Sequence, residues 1–289
     1  MTRTRLPLLL TALTLAWPPQ AGAQGGAGAA EPPAQAQAQP TVADDPDLDL
    51  NASQPDFTIV ALPTTLRMPR FKSAFRVTHR FTRPLGAGDF GDLASDLFGL
   101  DSGSQIGLEY RFGVLPGVQV GLHRTNDRTI EIFGHYAAWQ QRDGPPLSLS
   151  VVVSVDGTNN FRDTYSTALG VVLSREIGRR GAVYLEPIWV NNADALPGQP
   201  PGDDDTLLVG VGARIRLRST VYLVGEISPR AGFDPGANHG SIGIEKRAGG
   251  HTFQLNFSNG FGTTMGQIAR GGTSGDDWYL GFNISRKFF

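Results

Sequence analysis

The sequence predicts an all-β fold, a transmembrane antiparallel β-barrel of about 12 strands behind a disordered N-terminal tail. Three observations carry this reading. Residues 278–289 alternate: Trp278, Leu280, Phe282, Ile284 and Phe288 share one parity, while Tyr279, Gly281, Asn283, Ser285 and Lys287 share the other. Segments of the same kind recur from residue 71 onward, separated by turn residues. No run after residue 23 approaches the roughly 18 apolar residues of a helical span. A barrel passes beneath a hydropathy test because only every second residue meets lipid.

The elements follow in chain order. Arg3 and Arg5 open a positive start, residues 6–17 are apolar, and Ala21-Gly22-Ala23 supplies small residues for cleavage, so residues 1–23 read as an export signal. Residues 24–56 are rich in Gly, Ala, Gln and Pro and end in an acidic patch at Asp44, Asp45, Asp47 and Asp49. They lack a periodic apolar face and are expected to be a disordered periplasmic tail, with a periplasmic protein as its candidate partner. The barrel domain is assigned to residues 57–289. Residues 57–62 fit a docking segment, a short extra strand or a lumen plug, and the first clear strand begins near residue 71.

The expected strands are 71–81, 104–113, 118–125, 129–141, 147–156, 164–175, 182–190, 206–218, 220–228, 240–247, 251–260 and 278–289, an even count as single-chain barrels require. In 206–218, Leu207, Val209, Val211, Ala213, Ile215 and Leu217 form the lipid row, and Gly210, Gly212, Arg214, Arg216 and Arg218 form the lumen row. On this parity Val211→Arg should be costly and Gly212→Ser mild. Tight links at 115–117, 142–146, 177–181, 218–220 and 247–250 alternate with mostly longer ones at 84–103, 191–205, 229–238 and 262–277. Short periplasmic turns opposite long external loops is the barrel arrangement.

With 289 residues, 40% hydrophobic and 18% charged, a net charge of −2 and no cysteine, the chain has neither the basic surface of a general nucleic-acid binder nor a disulfide framework. No zinc, haem, nucleotide or phosphate-loop pattern is present, so no metal or cofactor is assigned. The run Asp203-Asp-Asp205 reads as a solvated loop in preference to a calcium site.

The segments FRVTHRF (75–81), LFGLD (97–101), HTFQLNFSN (251–259) and GFNISR (281–286) resemble an uncharacterised bacterial outer-membrane β-barrel family of unknown function. The resemblance spans residues 57–289 and implies the barrel and the outer membrane, but no activity. In that setting lipid, lipopolysaccharide and the barrel-assembly machinery are the expected partners. Gly281, Phe282, Ile284, Phe288 and Phe289 resemble the assembly signal of a closing strand.

Parity turns Lys72, Arg76, Arg80, Arg111, Arg214 and Arg216 inward, with Glu109, Glu131, Asp156, Glu186, Glu226, Glu245 and His135. Counting from the turns sets Arg214 level with Glu186 and Glu226, either as a selectivity constriction or as paired filler. The expected function is a passive channel or substrate-specific pore for small polar solutes. A sealed structural or partner-binding barrel is the alternative. An enzyme fits less well: outward His79 is six residues, about 20 Å, from Ser73, and inward His135 has no nucleophile beside it.

Overall fold

A computed structural model describes residues 51–195, 204–234 and 236–289. The export signal and most of the tail lie outside the described residues. The barrel strands are β1 (Ser73–Phe81), β2 (Ser104–Leu115), β3 (Val118–Thr125), β4 (Ile130–Trp139), β5 (Ser148–Gly157), β6 (Tyr165–Glu176), β7 (Gly181–Asn191), β8 (Thr206–Arg218), β9 (Val221–Ser228), β11 (His239–Ala248), β12 (His251–Ser258) and β13 (Tyr279–Phe288). Each pairs antiparallel with its neighbours. The ring closes where β1 pairs with β13, and β9 pairs with both β8 and β11. Twelve strands therefore form a closed cylinder without a free edge.

A short thirteenth strand, β10 (Arg230–Gly232), was not expected from the sequence, which places the whole of 229–238 in a loop. It continues β9 along β8, pairing Arg230 with Leu208 and Gly232 with Thr206. Pro229 interrupts the two because it has no N–H to donate, yet its carbonyl still accepts from Val209 N at 2.8 Å.

The two faces follow the alternation. On β8, Leu207, Val211, Ile215 and Leu217 are 42–55% exposed, whereas Leu208 and Arg214 are at most 1% exposed. On β13, Tyr279, Asn283, Ser285 and Lys287 are buried while Phe288 is exposed. Outward side chains such as Leu108, Ile132, Leu185, Ile244 and Leu255 make an apolar belt. Among the described residues no helix is long and apolar enough to cross a membrane.

Phe288 and Phe289 stand at the seam, where Phe288 pairs with Ser73 to close the ring. Both are exposed, and Phe289 is not in the lumen although its parity matches the lumen row. Removing the two should strip the interfacial aromatics from this seam and impair insertion. Normal heat-modifiable migration of the truncated protein from membrane fractions would contradict this.

Candidate functional site in the barrel lumen

The lumen is occupied from both ends. From the end bearing the tight turns, residues 51–66 run inward. Residues 51–56, expected to belong to the tail, are ordered against the wall because polar groups receive them. Glu176, at the end of β6, accepts from Asn51 Nδ2 at 2.7 Å, Ser53 Oγ at 2.8 Å and Gln54 Nε2 at 2.9 Å. Tyr222 Oη donates to Ala52 O at 3.0 Å. Ser285 Oγ donates to Asp56 Oδ2 at 2.5 Å, and Lys287 Nζ lies 3.8 Å from the same carboxylate.

Residues 57–64 then fold into a tight hairpin. Thr64 N donates to Phe57 O at 2.9 Å and Ile59 N to Leu62 O at 2.8 Å, with Thr58 bridged to Pro63. Of the three readings open for residues 57–62, the plug is the one the structure takes. Ile59, Val60 and Leu62 are fully buried inside the barrel. Glycines on β8 make the room: a Cβ on Gly212 would collide with Ile59 Cδ1, and one on Gly210 would lie 2.9 Å from Leu62 Cδ1.

The wall holds the hairpin by its main chain. Glu226 accepts three consecutive amides, Val60 N and Ala61 N at 2.9 Å and Leu62 N at 3.1 Å. Arg214 Nη2 donates to Thr58 O at 2.8 Å and Gln254 Nε2 to Ile59 O at 2.7 Å. Val60 O accepts from Arg76 Nη2 at 2.6 Å and Asn283 Nδ2 at 2.9 Å. A single carboxylate on successive N–H groups reproduces the geometry of a backbone anion nest.

The opposite end is filled by the link between β12 and β13, which carries a short helix, Met265–Arg270. Thr264 caps it, with Gln267 returning the reciprocal hydrogen bond. Its first turn meets wall carboxylates: Asp156 accepts from Thr264 Oγ1 at 2.5 Å and Gly266 N at 3.1 Å, and Glu131 accepts from Met265 N at 3.2 Å. Acidic side chains at a helix start are electrostatically favourable. Between hairpin tip and helix lies a cavity of about 30 Å³, room for a water or two. Glu109, Arg111, Glu131 and His135 reach it, beside Ala61 and Met265.

The expected ladder changes partners. Arg214 pairs with Glu245 on β11 at 2.9 Å, both fully buried, and not with Glu186 or Glu226. The register explains this: Arg214 stands across from Ala182 and Val224, whereas Glu186 is level with Gly210 and Glu226 with Gly212. Arg76 pairs with Glu109 at 3.2 Å, Arg111 bonds Glu109 as well, and the Arg111 guanidinium lies 4.6 Å from the Phe133 ring centre. Arg80 donates to Asn283 Oδ1 at 2.9 Å. His135 shares a hydrogen bond with Gln119 at 3.4 Å, and Glu131 lies 3.7 Å from His123. The Glu186 carboxylate accepts no hydrogen bond from a described residue.

Lys72 and Arg216 do not reach the lumen. Lys72 precedes β1 and is exposed; Arg216 bends over the β8–β9 turn, where Nη2 donates to Ser219 O at 2.7 Å. Parity persists to the strand ends, but the interior does not. Sequence reasoning in turn missed Glu176, Gln254, Asn283 and Lys287. Gln254, Asn283 and Lys287 were on the lumen parity and legible as inward, but a tally of opposed charges passed over amides and the closing strand. His79 faces outward as expected, stacked 4.8 Å from Phe282. Asp203 lies outside the described residues, and Asp205 accepts from Asn191 Nδ2 at 2.7 Å, shaping the β7–β8 link.

Comparison with known proteins adds the family. The sequence profile of a membrane-bound β-barrel domain, DUF5777, matches residues 56–288. The chain belongs to this family. The family domain thus begins inside the lumen segment, at Asp56, and includes the hairpin with the strands. No curated protein matches the chain significantly. Among solved structures, NanC porin is similar over 75% of this chain and 100% of its own, at 7% identity and a TM-score of 0.50. KdgM porin is similar over 75% of this chain and 99% of its own, at 6% identity and a TM-score of 0.47. At such identity the NanC likeness is one of fold, the closed antiparallel barrel.

Proposed function

We propose that this protein is an outer-membrane channel for small polar solutes, held closed by two of its own segments, residues 51–66 and the β12–β13 link that carries Met265–Arg270. One observation carries the reading. The hairpin sits in a charged lumen and is bound by wall side chains, with no strand ladder tying it to the barrel among the described residues. Water can replace each contact when the hairpin leaves: the two neutral hydrogen bonds from Gln254 and Asn283 are worth about 1 kcal/mol each, and the five made by Glu226, Arg76 and Arg214 about 1.5–3 kcal/mol each. Withdrawal of the hairpin would leave Arg76, Arg214, Glu226, Gln254 and Asn283 lining a polar passage, as rings of polar and charged groups do in channels, and passage of a solute also requires the β12–β13 link to move aside.

The apolar belt faces lipid in this reading, the tight turns face the periplasm, and the long acidic loops face outward toward lipopolysaccharide. The barrel-assembly machinery engages the seam strand β13, and the tail offers a periplasmic partner the means to draw the hairpin out. An enzyme is disfavoured, since His79 stacks on Phe282 and His135 bonds Gln119. A permanently sealed barrel is favoured by the cavity of about 30 Å³ between the two fillers.

A reversible lock separates channel from seal. Thr65 Oγ1 and Ser174 Oγ are 2.5 Å apart, which brings their β-carbons near disulfide reach, and the chain has no cysteine of its own. In planar bilayers, Thr65→Cys/Ser174→Cys should be silent when oxidised and should show stepwise openings under voltage when reduced. Adding Glu226→Gln to the reduced protein should raise the open fraction. Silence in every form would leave the sealed barrel standing.

A further inference from the structure

We infer that the lumen wall is a peptide-binding site whose resident occupant is residues 57–64, and that the solutes it accepts when they leave are short peptides with branched aliphatic side chains. The binding claim stands on the wall itself; passage of such peptides rests on the channel reading above.

The contacts over Thr58 to Leu62 are to main-chain atoms. Three N–H groups go to Glu226, and three carbonyls go to Arg214, Gln254, Arg76 and Asn283. Alternating donors and acceptors at residue spacing are the signature of a polypeptide. A sugar presents hydroxyls of either polarity and a simple anion presents acceptors alone, so neither matches one carboxylate closing on three successive amides. Side chains are read by shape: Ile59 and Leu62 lie over Gly212 and Gly210, where any Cβ would intrude. The hairpin's inserted portion lacks charge from Phe57 to Leu66, so its charged partners Arg76, Arg214 and Glu226 meet backbone dipoles in place of ions. Arg76 and Arg214 are also neutralised within the wall, by Glu109 and Glu245, which keeps the site intact when its occupant leaves. This is main-chain recognition with side-chain pockets, the division of labour common to peptide-binding proteins.

The test uses the full chain, cut after folding. A site-specific protease sequence is inserted between Arg70 and Phe71, which are both exposed. After folding in detergent and cleavage, a fluorescent synthetic peptide of residues 54–66 is added and its anisotropy followed. The labelled peptide should exchange into the lumen. An analogue with ester oxygens replacing the amide nitrogens of Val60, Ala61 and Leu62 keeps the shape but loses the three donors, and should compete at least about tenfold more weakly. Glu226→Gln in the barrel should weaken the parent peptide and narrow that gap. An ester analogue that competes equally, a maltooligosaccharide that displaces the label as well as the peptide does, or a label that never enters the cut barrel would each overturn the inference. Current recorded on the same cut protein keeps the two readings apart. Peptide exchange without current removes the channel and leaves the site; current without exchange does the reverse.

Discussion

Replacing Arg214 with alanine should lower barrel stability by about 3–5 kcal/mol, the cost of stranding one partner of a buried ion pair. Arg214 and Glu245 are both fully buried, and their contact at 2.9 Å is the closest charge compensation either has. After the substitution Glu245 keeps a longer contact with Gln254, at 3.3 Å. The same change also removes the donor to Thr58 O, so the hairpin loses one of its anchors. A urea titration of the folded barrel should therefore show an earlier midpoint for Arg214→Ala. The double variant Arg214→Ala/Glu245→Ala should recover most of the loss, because no charge then remains unpaired. A single-variant midpoint within about 1 kcal/mol of the parent would mean that water already screens the pair, and the filled lumen described above would be wrong.

Val211→Arg should cost roughly 2–4 kcal/mol, the penalty for a cation on the lipid face near mid-bilayer. Val211 is 44% exposed and lies near the middle of β8, between Leu185 and Ile227. Lumen parity alone makes Gly212→Ser mild, since a small polar group on that face would meet water. The hairpin takes that space, so a serine Cβ would collide with Ile59 Cδ1 and press on the plug. Gly212→Ser should leave the unfolding midpoint nearly unchanged while raising the open fraction in bilayers, because the barrel ladder is untouched and the displaced element is the hairpin. Equal tolerance of Val211→Arg and an arginine at rim position Leu217 would show that β8 does not cross lipid at Val211.

Much of this molecule could be read one residue at a time, because the period-two rule is local. Each strand's inward and outward rows follow from its own sequence, and lipid on one side enforces the choice at every position, as a slip of one residue would turn Arg214 or Glu226 into the bilayer. The closed twelve-strand ring, the turn ends and the inward direction of Arg76, Glu109, Glu186 and Glu245 were therefore legible. So was the family, through its strand segments.

Pairing across the lumen was not legible, because it depends on strand tilt and stagger, which no single strand encodes. Register sets Arg214 beside Glu245 and leaves Glu186 opposite Gly210, whereas counting from the turns set Arg214 level with Glu186 and Glu226. The fate of residues 51–66 was hidden for a different reason. Residues 51–56 are polar, cannot build a core of their own and alone read as tail, while residues 57–62 left a docking segment, an extra strand and a plug equally open. Order comes from outside: Glu176 and Glu226 supply acceptors, Arg76, Arg214, Gln254 and Asn283 supply donors, and Gly210 and Gly212 leave the space. The chain thus specifies its barrel through local alternation against lipid. Whether that barrel is open or occupied is decided by contacts between residues more than 150 positions apart, such as Val60 with Glu226 and Asn283, which come within hydrogen-bond reach only once the ring has closed.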